Sequence, residues 1–308
     1  MDRIDANLKK SLEELNDAIK IGYKDLLAMD RTELRGKLSG SLGPISRLDN
    51  LLEEELKGFT PIVGVDGSNI RLGGNEPHFI ELYRALAKPS IKELEPVIIN
   101  KLYCPLILGE ESPMDSTNLL GFLEVEAAMQ SIEACNPKVI MMDGGLLRYI
   151  IDAGEAFNLL MEECINKEII LIGVIKDIKT TMVKELFPGP IVVNDREALF
   201  GVLDPGEVLT VEGARKHEAL SSAFIRTSST PAAIGIDCLK AQEGHMIEMA
   251  RLVLSLTPES GRGAPLWLDI VDREVRLTKN ECQTLLKTIL EPEIYKRFAE
   301  SEREQRPR

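Results

Sequence analysis

The stretch PIVGVDGSNI, residues 61–70, decides how the rest of the chain is read. An apolar run from Ile62 to Val65 ends on Asp66 and passes at once into Gly-Ser-Asn, which predicts a buried strand with a carboxylate at its lip and a turn behind it. The pattern returns as VIMMDGGLL at 139–147 and, more weakly, as IILIGVIKD at 169–177. Carboxylates at the carboxyl ends of neighbouring strands converge in the crevice where open α/β sheets bind ligands, so Asp66 and Asp143 are expected to meet. Two such acids repel each other, and a divalent cation removes the conflict. Hard oxygen ligands with no His or Cys nearby in sequence select Mn²⁺ or Mg²⁺ over zinc.

Outward from that strand, HFIELYRALAK (78–88) and EPVIINKLYCPLIL (95–108) suit antiparallel strands. A helix near 117–134, the strand KVIMMD (138–143), a helix near 146–166 and the strand EIILIGVIK (168–176) follow. Three strands, helix, strand, helix, strand is the order of a ribonuclease H-like fold, an α/β mixed sheet with flanking helices. Ahead of it, Ile4, Leu8, Leu12, Leu15 and Ile19, then Leu34, Leu38, Ile45, Leu48, Leu51 and Leu52, carry helical periodicity. Residues 1–59 are therefore expected to form an N-terminal helical arm, residues 60–290 the body and residues 291–308 a charged tail.

Composition narrows the field. A chain of 308 residues, 44% hydrophobic, can bury a substantial core. It has no apolar run near the roughly 20 residues that span a bilayer, and MDRIDANLKK has no apolar segment after its charges, so no membrane role and a cytoplasmic location are expected. The net charge of −13 opposes general attraction to phosphates, although basic residues gather at Arg215 and Lys216, from Arg273 to Arg276, and in the tail from Tyr295 onward. Five cysteines without a C-x-x-C suit neither a disulfide framework nor a zinc site, and His78, His217 and His245 have no metal-ligand spacing.

A metal site needs further acids, and the helix TNLLGFLEVEAAMQSIEA (117–134) offers Glu124, Glu126 and Glu133. On a helical wheel the apolar stripe runs through Leu119, Phe122, Leu123 and Met129. Glu126 lies within it and Glu124 opposite, which predicts Glu126 as the residue facing the sheet; Glu133 lies on the stripe two turns later and stays open. Lys176, at a strand end, can neutralise charge on a phosphate or simply snorkel to solvent. Ser68 and Asn69 can donate to phosphate from the expected turn, or serve ordinary turn chemistry. Arg226, in FIRTSST, and Arg262 are candidate phosphate contacts.

Taken in order, VGVDGSN, the Glu-bearing helix, MMDGGLL, GVIKD and VNDREALFGVLDPGE resemble the NurA nuclease family from about residue 60 to about residue 280. The resemblance implies a ribonuclease H-like core and a Mn²⁺-dependent 5′ to 3′ exonuclease and single-strand endonuclease. It also implies a homodimer that works on DNA with a hexameric HerA-like ATPase in end resection at double-strand breaks. By the same resemblance Asp66, Glu126 and Asp143 match the metal-binding acids, the spacing to Asp143 favours Glu126 over Glu124, and Lys176 matches the family's strand lysine. In RGAPLWLDIVDREV (262–275), Ala264 stands where the family often has Tyr and Asp272 where it often has His. Asp272 can still supply an oxygen ligand. In helical spacing, with Leu266, Ile270 and Trp267 toward the core, it shares a face with Asp269; a strand or turn leaves both acids in solvent. The implied chemistry is phosphodiester hydrolysis by two cations about 3.5–4 Å apart.

Three alternatives stand beside it. An actin-like or sugar-kinase ATPase shares the core topology but needs a second full domain. A haloacid-dehalogenase phosphatase wants an acid two residues after Asp66, where Ser68 stands. A non-catalytic scaffold for a translocase fits the altered Ala264 and Asp272.

Overall fold

The computed structural model describes residues 6–108, 116–213 and 215–299; Ile4 and the last nine residues of the basic tail lie outside them. In chain order the helices are α1 (Ala6–Gly22), α2 (Lys24–Ala28), α3 (Arg31–Leu42), α4 (Glu53–Gly58), α5 (Pro105–Leu108), α6 (Ser116–Cys135), α7 (Leu146–Asn166), α8 (Asp195–Leu199), α9 (Met246–Ser255), α10 (Leu266–Val275), α11 (Lys279–Ile289) and α12 (Pro292–Ile294). The strands are β1 (Ile45–Arg47), β2 (Ile62–Gly73), β3 (Phe79–Pro89), β4 (Val97–Tyr103), β5 (Val139–Asp143), β6 (Ile170–Ile175), β7 (Glu207–Val211), β8 (Leu220–Ile225) and β9 (Ile234–Leu239).

All nine strands join one sheet in the order β1-β7-β8-β9-β6-β5-β2-β3-β4. Its β4-β3-β2-β5-β6 half is the ribonuclease H-like arrangement: β2, β5 and β6 run parallel, and β3 and β4 return antiparallel. Helices α6 and α7 cover one face over a core that includes Val65, Leu123, Ile140, Met142, Tyr149 and Phe157. The opposite face is closed by α9 and α10 over Met141, Ile172, Val174, Ile236 and Leu268.

Two features depart from the sequence expectation. Gly67, Ser68 and Asn69 are not a turn; β2 continues through them to Gly73, paired residue by residue with β3, and the chain reverses only beyond it. Nor are residues 31–58 a free arm. The side chain of Asp30 caps α3 by accepting the Glu33 N–H at 2.9 Å, and Leu34, Leu38 and Leu42 pack against Ile178, Val183, Phe187, Leu199 and Phe224. Burying each leucine contributes about 2 kcal/mol, enough to tie the segment to the body. Past Gly43, β1 adds to the edge of the sheet through β7. Helix α1 is different: Leu8, Leu12, Leu15 and Ile19 are 46–55% exposed along one stripe.

Candidate active site

Strand register brings the acids together. Val65 of β2 pairs in parallel with Met142 of β5, so the next residues, Asp66 and Asp143, emerge side by side where β5 ends. Pairing of Asp143 with Val174 of β6 brings Lys176 alongside, and its ammonium lies 2.5 Å from Asp143 Oδ2.

The third acid is Glu124, not Glu126. Glu124 is 1% exposed and reaches beneath β2 at Gly67, where a side chain would put its Cβ 2.5 Å from the Glu124 carboxylate. Glu126 is half-buried on the opposite side of the helix, its carboxylate accepting from Gln130 at 3.2 Å. The wheel misled because α6 is covered on two sides, by the sheet and by α7, so apolar residues ring most of it and no single stripe marks the sheet side. Gly121 lets α7 approach, with Asp152 where its Cβ would stand. Glu133 is exposed.

From the other face of the sheet α10 contributes two more acids. It packs on β2 because Gly64 leaves room for Trp267 and Val271. The segment is helical as expected, but Leu268, Val271 and Val275 form its buried side while Leu266 is exposed. Asp269 takes an ion pair from Arg262 at 2.6 Å and lies 3.7 Å from Lys176. Asp272 pairs with Arg276 at 2.9 Å and still opposes ionisation of Asp143.

These charges crowd one another. Burial, then the neighbouring Asp143 and Glu124, pushes Asp66 up to about 8, against a hydrogen bond from the Gly67 N–H at 2.8 Å and the charge of Lys176. Asp143 is raised by burial and eased by Lys176. Glu124 is raised by burial and eased by Arg148, which donates to it at 3.2 Å and also pairs with Asp152. Even so, Glu124 Oε2 is buried with no hydrogen-bond donor. The hydroxyl of Tyr149 stands beside Glu124 and donates to the Asp143 carbonyl at 3.4 Å.

Among the described residues no group of three or more His, Cys, Asp or Glu stands at metal-holding spacing; Asp143 and Glu124 are held instead by Lys176 and Arg148. The donor chemistry nevertheless fits a divalent cation. Asp66, Glu124 and Asp143 offer only hard oxygens, one of them orphaned, and one acid is driven toward its neutral form by burial and then by the charge of the others.

The remaining predicted residues lie elsewhere or serve the fold. Ser68 Oγ accepts the Leu277 N–H at 3.1 Å, tying β2 to the start of α11. Asn69 is exposed, its amide 3.5 Å from Glu81. Arg226 is spent on main-chain carbonyls, those of Leu203, Ser228, Ser229 and Thr230, and knots a loop. Arg262 alone of that group faces the acids, favouring ionisation of Asp143. Arg148 and Tyr149 were not anticipated; their signal was their place as the third and fourth residues of the helix that follows Asp143 in MMDGGLLRY.

A sheet with a ribonuclease H-like half and half-buried acids at the ends of its central strands is a fold that nucleases share with other phosphate-handling proteins. The NurA domain family matches residues 60–277, and the chain belongs to the NurA family of nucleases. The NurA nuclease from Sulfolobus solfataricus has a similar structure, with a TM-score of 0.61 at 12% identity over 95% of this chain and 98% of that one. Looser likenesses are the catalytic domain of human endonuclease V (TM-score 0.38, 16% identity, 84% of this chain and 96% of that one) and Ciona intestinalis endonuclease V in complex with an inosine-containing DNA (TM-score 0.38, 17% identity, 90% and 99%). No curated protein sequence matches the chain. Among the described residues no helix is long and apolar enough to cross a membrane.

Proposed function

We propose that this protein is a Mn²⁺- or Mg²⁺-dependent deoxyribonuclease that hydrolyses phosphodiester bonds at Asp66, Glu124 and Asp143. The observation that carries the reading is the convergence of three mutually repelling carboxylates, Glu124 buried and Asp66 and Asp143 half-buried, with Glu124 Oε2 unpartnered and Asp66 pushed up to about 8. Such an arrangement is costly to a folded chain and useful to one that binds cations.

The three acids would hold the cation, which when bound lowers the pKa of water and offsets charge on the phosphate. Arg148 favours the ionised form of Glu124 against its burial, and Lys176 does so for Asp143. Lys176 is also near enough to the acids to offer its charge to a scissile phosphate, with Asp269 fixing its position from α10. Arg262, exposed beside Asp269, is a second candidate for phosphate contact.

The finer reading follows the family: 5′ to 3′ exonuclease and single-strand endonuclease activity on DNA, in the cytoplasm, as a homodimer serving a hexameric HerA-like ATPase in end resection. The apolar stripe Leu8-Leu12-Leu15-Ile19 supports an assembly, since a bare stripe of that length is uncommon on a monomer. A non-catalytic scaffold is the second reading, favoured by Ala264, Asp272 and the pairing of two site acids with cationic side chains.

Purified protein with labelled single- and double-stranded DNA, in Mn²⁺, Mg²⁺, Zn²⁺ or EDTA, tests the proposal. Degradation with Mn²⁺ and none with EDTA is expected; equal cleavage in EDTA removes the metal mechanism, and none in any metal favours the scaffold. Light scattering showing a monomer at micromolar concentration removes the dimer.

A further inference from the structure

Directly behind Asp143 lies a second charged group that takes no part in the site described above. Asp237, in the middle of β9, is fully buried, and Lys216 enters from the loop between β7 and β8 to pair with it at 2.7 Å, its own side chain 5% exposed. The Ser222 hydroxyl donates to the same Asp237 oxygen at 2.7 Å, and the other oxygen accepts the Leu146 N–H at 3.2 Å. Leu146 is the first residue of α7, and its N-cap, Gly145, has no side chain to cap the helix. Asp237 supplies that cap from across the sheet.

The turn it caps is Asp143-Gly144-Gly145, fixed on every side. The Gly144 N–H donates to Val174 at 2.9 Å. Gly173 leaves space for the Gly144 carbonyl, which a Cβ there would meet at 2.4 Å, and Gly145 leaves Asp237 room at 3.2 Å. Gly144 holds φ at +137°, a conformation open to glycine. Replacing a buried ion pair by apolar residues of similar size is commonly neutral or stabilising, so cohesion alone does not account for a charge pair at this depth.

We infer that Asp237, held in place by Lys216 and Ser222, positions the turn that carries Asp143 and so sets where that carboxylate points. Asp237 is a positioning residue, acting through main chain and touching no substrate. The inference rests on the reading of Asp143 as a reacting-site acid.

Two neutral double variants separate positioning from packing. Lys216→Met with Asp237→Asn removes the buried charges but keeps an oxygen acceptor for the Leu146 N–H; Lys216→Met with Asp237→Leu removes the acceptor too. Hydrogen exchange of the metal-free protein, followed on peptides spanning 144–150, and Mn²⁺-dependent cleavage of a labelled single strand are the readouts. The asparagine form is expected to keep protection of Leu146 and cleavage within about threefold of wild type, and the leucine form to lose protection there and at least tenfold in kcat with KM for DNA unchanged.

Wild-type kcat in the leucine form, or equal impairment of both forms, overturns the inference. If the leucine form does not fold, Lys216→Met with Asp237→Ser, too short to reach Leu146, takes its place with the same expected loss. If the wild-type protein cleaves no DNA, the reading of the site has failed, and Leu146 protection in the two forms still decides whether Asp237 holds the turn.

Discussion

Asp237, buried, and Asp66, half-buried, are acids on neighbouring parts of one sheet, and they are treated in opposite ways. Asp237 has an ammonium, a hydroxyl and an amide donating to it, so both of its oxygens are partnered. Asp66 has a single N–H from Gly67, faces two other carboxylates, and is pushed up to about 8. Asp195, buried beneath the loop ahead of α8, resembles Asp237, taking the Thr180 hydroxyl and the Val183 N–H. The fold is therefore able to satisfy a buried acid. Where it leaves Asp66 and Glu124 short of donors, the deficit is what supports the proposed cation site.

The largest effect expected from breaking this contrast is at the crowded end. Asp66→Asn and Asp143→Asn should each lower Mn²⁺-dependent cleavage by more than about 10³-fold, since each removes a charge the cation needs. Wild-type rates in either variant, with matched circular dichroism, would show the site to be misplaced. On stability the same kind of change should have opposite signs in the two regions. Asp237→Leu alone strands Lys216 in the core and should cost about 3–5 kcal/mol in urea unfolding, whereas Asp66→Asn relieves repulsion and should stabilise the metal-free protein at pH 8 by on the order of 2 kcal/mol.

The pH dependence sharpens the point. Asp66 holds its proton in the folded state up to about 8 but loses it near 3.8 when unfolded. At this position the folded state thus binds more protons than the unfolded one between those values, and the contribution of Asp66 to stability falls as pH rises from about 4 to about 8, levelling above that. Urea midpoints of wild type and Asp66→Asn in EDTA should converge near pH 4 and separate as pH rises. A separation that does not depend on pH would assign the effect to packing. Next in size is the pair on α6: Glu124→Gln should lose about 10²-fold in cleavage, as removal of a charge-stabilising group commonly does, while Glu126→Gln, paired only with Gln130, should stay within twofold by the same assay.

The sequence pattern exposed one half of this molecule far better than the other. Apolar runs closed by a carboxylate mark β2 and β5, so Asp66, Asp143 and their meeting were readable from spacing alone, as was the strand order through β6. Glu124 was not, because a helix buried on two sides has no amphipathic stripe to orient it, and because the glycine that admits it, Gly67, reads as a turn residue when it is a gap in a continuous strand. The β7-β8-β9 extension went unread for a related reason. Both β8 and β9 are buried at every position, so they show neither the alternation of a half-exposed strand nor an acid at a lip. Asp237 sits inside such a run, in AIGIDCL, where its neighbours give no sign of the lysine that reaches it from another loop.

The smallest expected effect concerns α10, which stands between the two regimes. Asp269 and Asp272 are partly exposed and each already has an arginine, Arg262 at 2.6 Å and Arg276 at 2.9 Å, so neither carries the unmet demand of Asp66. Asp272 nevertheless opposes ionisation of Asp143, and Asp269 lies 3.7 Å from the lysine that favours it. If Asp272 adds an oxygen to the cation, Asp272→Ala should raise the Mn²⁺ concentration for half-maximal cleavage by about tenfold, in the range seen when groups around a metal are removed, and Asp272→His should recover part of it. Asp269→Ala acts through Lys176 instead and should lower the maximal rate a few-fold while leaving that midpoint in place. Mn²⁺ titrations of cleavage by the three variants decide between the roles: unchanged midpoint and plateau in Asp272→Ala would leave α10 a packing element whose acids serve only their own arginines.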